Sequence, residues 1–371
     1  MKICLISKYP PIQGGIASKT YWMAQGLAER GIETHVVTNA NCVKKEYFID
    51  DLSPETPPNL IIHFVDPDIP WHIPCSDLYV PRLLDKALQV TRENQIDLID
   101  TGYLIPYGIV GYLASKITGI PFLVRHGGSD IVKFLNVGIL KHLLGNVIQD
   151  AAAVITDDKN KGLFENLNSN VFVIPRYIPD QRYFKPSLTP HEMPTFAYIG
   201  KINYHWRYKS LDKIVSTFSG IKEEHKLLFM GQGQGLNDFS QFVEGSELKT
   251  YEFGKFVHPA SMPNLLHPID YLLYFTQDNP IRDFSNVVCE ALWSGVSVIT
   301  DETTDIDEYG KYIEIESRDQ ITALPLDRIE EMQRKIRDFI RNWKNPFRYH
   351  GRRKYDFDTY IDANLRIFNN I

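Results

Sequence analysis

The stretch DNPIRDFSNVVCEALWSGVSVITDE, residues 278 to 302, decides how the chain is read. It opens in a polar loop of Asp278, Asn279 and Pro280, enters a helical apolar phase at Val287, Val288, Ala291 and Leu292, stops at Gly295 and continues as the strand SVIT. Such a helix points its first backbone N–H groups, those of Ser285, Asn286 and Val287, at whatever lies in front of it. N–H groups without an intrahelical acceptor, together with the helix dipole, favour phosphate. Glu290 sits one turn further in, within reach of a ribose.

Upstream, IDYLLYFT is a buried strand that delivers the chain to this loop, and TFAYIGKINYHWRYKSLDKIVSTF, from residue 195, reads as strand, loop and helix. Lys201 and Lys209 flank that loop, with Arg207 inside it and Lys209 beginning the helix. Two cations bracketing a strand end suit a departing diphosphate, which needs compensating charge where it leaves. KLLFMGQGQG is a further strand and glycine turn, equally readable as a plain turn, and KTYEFGKFV a strand and turn.

At the start of the chain an apolar strand is followed by KYPPIQGGIASK, a helix over TYWMAQGLAERG closed by Gly31, and the strand THVVT. That order opens a nucleotide-binding α/β domain, in which Gly14 and Gly15 let backbone approach a ligand closely. Residues 41 to 75 carry six prolines and read as excursions over the surface. IDLIDTGYLIPYGIVGYLASKITGIPFLV is the next strand, loop, helix and strand of a parallel sheet. His126 then leaves a strand end into a glycine-rich turn, with Ser129 or Asp130 placed to cap the helix expected over residues 131 to 148. A lone His is by itself no site, but strand carboxyl ends face the ligand crevice in such sheets. The 131 to 148 helix is expected to pack on its own sheet, with a membrane-surface helix as the second reading. LDRIEEMQRKIRDFIRNW and DFDTYIDANLRIF are the last two helices.

At 371 residues the chain exceeds one core, so two domains are expected. A net charge of −6 argues against a nucleic-acid partner. The four cysteines, Cys4, Cys42, Cys75 and Cys289, have neither disulfide-framework nor metal-type spacing, which reads as a reducing, cytoplasmic protein. The N-terminal apolar run is too short for a signal peptide, and residues 101 to 124 are too broken by Pro106, Lys116 and Pro121 for a membrane span.

Phe284, Asn286, Glu290, Ala291, Gly295, Val298 and Ile299 resemble the signature segment of the family 4 retaining glycosyltransferases. QGGIASKTYWMAQGLAERGIETHVVT is similar to that family's first loop and helix, and the remaining motifs follow in the family's order. The resemblance implies a GT-B fold: two Rossmann-like, doubly wound parallel-sheet domains facing across a cleft. It places an acceptor-side domain at residues 1–186, a nucleotide-sugar domain at 187–354 and a helix over 355–371 that crosses back to the first domain. It implies catalytic roles for His126, Lys201 and Lys209. Donor binding falls by the same resemblance to Gly14, Gly15, Arg207, Phe256, Arg282, Asp283, Ser285, Asn286, Val287 and Glu290, with Phe256 beside the nucleobase. Asp100, Tyr103 and Asp130 fall on the acceptor side.

Where the family carries its first signature Glu, this chain has Arg282, which has donors only and cannot accept hydroxyl protons from a sugar. Either Asp283 takes that role, or the donor sugar brings a carboxylate that pairs with Arg282. No cofactor and no metal are expected, the donor being a nucleotide-diphosphate sugar. The acceptor is a glycan, a lipid-linked molecule or a small molecule, and peripheral contact with the inner membrane surface follows if it is lipid-linked. The expected activity is retaining sugar transfer in cell-surface polysaccharide or glycolipid synthesis. A nucleotide-sugar epimerase of the same fold and a catalytically silent nucleotide-sugar-binding partner are the alternatives.

Overall fold

The computed structural model describes residues 1–50, 54–66, 80–128, 130–135, 138, 140–190, 192–276, 284–314, 320–344 and 352–371. Its contacts divide the chain into two units, Met1–Ile178 with Phe357–Ile371, and Pro179–Asp356.

In the first unit β1 (Lys2–Ile6), α1 (Gly15–Glu29), β2 (Glu33–Thr38), β3 (Leu60–Phe64), α2 (Val80–Asn94), β4 (Leu98–Thr101) and α3 (Ile109–Thr118) follow in turn. After them come β5 (Phe122–Arg125), α4 (Lys141–Gln149), β6 (Ala153–Thr156), α5 (Lys161–Glu165) and β7 (Val171–Val173). The second unit runs β8 (Thr195–Ile199), α6 (Leu211–Ser219), β9 (Lys226–Met230), α7 (Leu236–Glu244), β10 (Glu252–Gly254), α8 (Met262–Leu266) and β11 (Tyr271–Tyr274). It continues with α9 (Asn286–Trp293), β12 (Ser297–Asp301), α10 (Ile306–Gly310), β13 (Ile321–Leu324) and α11 (Ile329–Asn342), after which α12 (Phe357–Phe368) returns to the first unit.

Both sheets are parallel throughout, in the orders β3-β2-β1-β4-β5-β6-β7 and β10-β9-β8-β11-β12-β13. Parallel sheets need cover on both faces, and their strands are accordingly apolar-rich and buried almost end to end, as in KICLI, TFAYI and SVITD. Each order reverses once, between β1 and β4 in the first sheet and between β8 and β11 in the second. Those two places are where an open α/β sheet takes a ligand, outside the carboxyl ends of its strands.

Two helices differ from the sequence reading. α1 starts at Gly15, five residues earlier than expected, because Gly14 caps it at φ 118 rather than through a Ser or Asp side chain. The helix expected over 131–148 is broken: a wide turn at Ile131–Leu135 is separated from α4 by Gly138 at φ 73 and Leu140 at φ 59, both left-handed. None of the described helices is long and apolar enough to cross a membrane.

α12 is fixed to α1 at close range. A methyl at Gly26 would collide with Ile361 and Phe357, and Arg30 pairs with Asp358 at 2.7 Å and Asp362 at 2.8 Å.

Candidate active site

In the second unit, the segment after β8 rests on the glycine turn after β9. A Cβ on Gly231, Gly233 or Gly235 would run into the carbonyls of Gly200, Ile202 or Asn203. The two backbones are instead joined by Ile202 N–H to Gln232 O at 2.9 Å and Gly235 N–H to Ile202 O at 3.0 Å. These glycines thus form the floor under Lys201. Trp206, fully buried, anchors the outer part of the segment by donating to Asp238 at 2.6 Å and packing on Phe239 and Phe242. Arg207 is exposed, with its guanidinium 4.0 Å above the Trp206 ring. Stacking of this kind orients a guanidinium without consuming its charge.

Lys209 closes the segment. Its Nζ donates to the Lys201 carbonyl at 2.9 Å, the same oxygen that accepts from the Tyr198 hydroxyl at 3.0 Å. Burial pushes its ammonium down to about 8. Lys209 does not begin a helix: it ends a short 3₁₀ turn, Ser210 reverses the chain at φ 54, and α6 starts at Leu211.

Ser285 caps α9, and its N–H donates to the Tyr309 hydroxyl at 3.0 Å, with Phe284 stacked on the Tyr309 ring. Of the three N–H groups expected to face a phosphate, that of Ser285 is therefore turned to Tyr309. Asn286 and Val287 make the first helical turn and are partly exposed, while Glu290 one turn on is 2% exposed. Phe256 is half-buried and tied to the glycine turn through its N–H to the Gln232 side chain at 3.3 Å. Arg282 and Asp283 lie outside the described residues.

In the first unit, Gly14 and Gly15 open α1, whose next turn is held over the end of β1 by Thr20 Oγ1 and Ser7 Oγ at 2.8 Å. His126 follows β5, 3% exposed, against Phe164 and with Nε2 3.2 Å from Asp157 Oδ2 but out of line for a hydrogen bond. Asp157 is ion-paired to Arg176; against the effect of burial, His126 and Arg176 hold its carboxyl well below the usual range. Asp130 is fully buried and accepts from the backbone N–H groups of Gly127, Leu104 and Ile131, binding the His126 turn to the loop after β4. Burial raises its carboxyl, with His126 and the N–H donors opposing. Tyr103 lies in that loop with its ring against Gly127, where any side chain would collide with it.

Asp100, expected on the acceptor side, lies inside the sheet at 1% exposure. It is closed in a bidentate ion pair with Arg125, whose Nε lies 2.8 Å from Oδ1 and whose Nη2 lies 2.7 Å from Oδ2. The proposed residues thus gather in two sets. Lys201, Arg207, Lys209, Phe256, Ser285, Asn286, Val287 and Glu290 belong to the second sheet, and Gly14, Gly15, Tyr103, His126 and Asp130 to the first. Trp206, Tyr309, Asp157 and Arg176 were not singled out from sequence, although an aromatic inside a basic loop and an acid just past a strand end are visible signals. Among the described residues no group of three His, Cys, Asp or Glu is arranged to hold a metal.

Residues 15–158 match the family model described as glycosyl transferase 4-like. N-acetyl-alpha-D-glucosaminyl L-malate synthase of Bacillus anthracis is 24% identical over 322 residues, 82% of this chain and 79% of that protein. Sucrose-phosphate synthase from Thermosynechococcus elongatus superposes with a TM-score of 0.67 at 15% identity, covering 100% of this chain and 94% of that one. HepE from Anabaena, solved in complex with UDP-glucose, gives 0.64 at 14% identity, covering 100% and 95%. By its two doubly wound parallel sheets and these matches, the chain is a glycosyltransferase of GT-B fold, similar over residues 15–158 to the glycosyl transferase 4-like family.

Proposed function

We propose that the chain moves a sugar from a nucleotide-diphosphate donor to a glycan, lipid-linked or small-molecule acceptor, with retention at the anomeric carbon and without a metal. The observation that carries this is Lys209, a half-buried lysine whose ammonium is fixed by the Lys201 carbonyl at the carboxyl end of β8, beside the point where the strand order reverses. As the sugar–diphosphate bond breaks, charge grows on the leaving oxygen, and a positioned cation stabilises that state more than the bound ground state. Lys201 and the first turn of α9 add to the same charge. Substitution on one face of the sugar then needs little beyond positioning. HepE's complex with UDP-glucose supports a nucleotide sugar as donor. The setting is the cytoplasm, at the inner membrane surface when the acceptor is lipid-linked, in the building of polysaccharide or glycolipid.

Release of nucleoside diphosphate from a panel of nucleotide sugars, dependent on acceptor and undiminished by EDTA, is the direct test. Release without acceptor, or loss with EDTA, overturns transfer or metal independence respectively. Glu290 has the ribose role in this reading, because a carboxylate one turn into α9 accepts two hydroxyl protons at once. Glu290→Gln is expected to weaken UDP or GDP binding by about tenfold in calorimetric titration, the scale of a charge-assisted hydrogen bond. Unchanged affinity for both nucleotides removes Glu290 from the site.

A further inference from the structure

The N–H of Ser285 lies ahead of the hydrogen bonds that α9 makes within itself, so it needs an acceptor from elsewhere. In a capping box the helix supplies one, from a Glu or Gln side chain three residues after the cap. Here that residue is Val288, a buried hydrocarbon, and the acceptor is the Tyr309 hydroxyl at 3.0 Å, brought by the next helix. Tyr309 also meets the residue before the cap. Phe284 is stacked on its ring with centroids 5.0 Å apart, and Tyr312 stands edge-on to Phe284 at 5.9 Å. One buried side chain thus holds the entry of α9 by a hydrogen bond and by a ring face.

Tyr309 is itself held from both directions. Upstream, buried Asp301 at the end of β12 accepts from the N–H groups of Thr276, just past β11, and of Thr303. Asp305 then caps α10 by accepting from Glu308 N–H at 3.3 Å. Downstream, Glu314 N–H donates to Arg352 O at 2.8 Å and Lys354 N–H to Tyr312 O at 2.9 Å. The first turn of α9 is therefore set against a fixed point. The Ser285 side chain makes no capping bond to that turn, so the entry is fixed through the Ser285 backbone and not through its hydroxyl.

We infer that Tyr309 is a positioning residue for the donor: through Ser285 and Phe284 it sets the direction in which the N–H groups of Asn286 and Val287 meet the diphosphate. This deepens the reading above and rests on its placing of the diphosphate before α9. Hydrogen bonds weaken steeply as donor and acceptor leave line, so a turned helix entry costs diphosphate contacts. Contacts to the nucleoside, made further from the entry, are spared.

The test is calorimetric titration of the native and Tyr309→Phe chains with UDP, GDP, uridine and guanosine, alongside thermal melts. In the native chain one diphosphate is expected to bind about tenfold or more tighter than its nucleoside. Tyr309→Phe keeps a ring against Phe284 and removes the acceptor. Affinity for that diphosphate is expected to fall by about three- to tenfold, the scale of one hydrogen bond, while the nucleoside stays within about twofold. The thermal midpoint should move by only a few degrees. Unchanged diphosphate affinity in Tyr309→Phe overturns the inference and leaves the donor reading standing. A parallel loss for diphosphate and nucleoside, the mark of a merely structural role, overturns it as well. A native chain that binds neither diphosphate more tightly than its nucleoside overturns the placing of the diphosphate before α9, and the inference with it.

Discussion

Lys209→Met is expected to lower turnover by about 10²–10³-fold while donor affinity changes by less than about threefold, the pattern of a group that acts on charge developing in the transition state. The geometry favours a large effect because the ammonium is held in place. Lys209 Nζ is fixed to the Lys201 carbonyl, and the Tyr198 hydroxyl on the same oxygen keeps that carbonyl in place. Lys201→Met should be milder, because the backbone of residue 201, not its side chain, anchors Lys209. The pH profile gives an independent signature. Burial places Lys209 at about 8, so it is a cation below that pH and neutral above it. kcat/KM for the donor should therefore fall as pH rises through about 8, and Lys209→Met should lose that limb. Normal turnover in Lys209→Met would show a segment that is merely solvated.

The strands were legible because a parallel sheet covered on both faces favours apolar-rich runs, as in the cores of KICLI, TFAYI and SVITD. The candidate residues were placed at strand ends for a related reason: Lys201, His126 and Ser285 each follow a strand directly or by one loop, and strand carboxyl ends face the crevice in such sheets. What escaped depends on pairs distant in sequence. Ser285 donates to a hydroxyl 24 residues further on, so the use of its N–H is invisible from the helix alone. The break before α4 rests on a left-handed Leu140, a conformation that no residue-type rule assigns to leucine. The glycines of 231–235 read equally well as a plain turn, and their real constraint is another loop's carbonyls.

Asp100→Ala is expected to destabilise the first unit by about 3–5 kcal/mol, the usual cost of leaving one member of a buried ion pair alone. Asp100 and Arg125 are both 1% exposed, so water cannot replace the lost carboxylate, and Arg125 packs 5.9 Å from the centre of the Phe368 ring on α12. Arg125 therefore reaches from β5 to the chain's last helix, and an uncompensated guanidinium there strains both. At a few degrees per kcal/mol for a unit of this size, the thermal midpoint should fall by roughly 10 °C. The control is to remove both charges. Asp100→Leu with Arg125→Met should recover most of the loss, because an apolar pair avoids the desolvation that the ions must offset. A double variant as unstable as Asp100→Ala alone would mean that shape rather than charge is what the pair supplies. An Asp100→Ala chain that melts with the native one would mean that the guanidinium finds another partner.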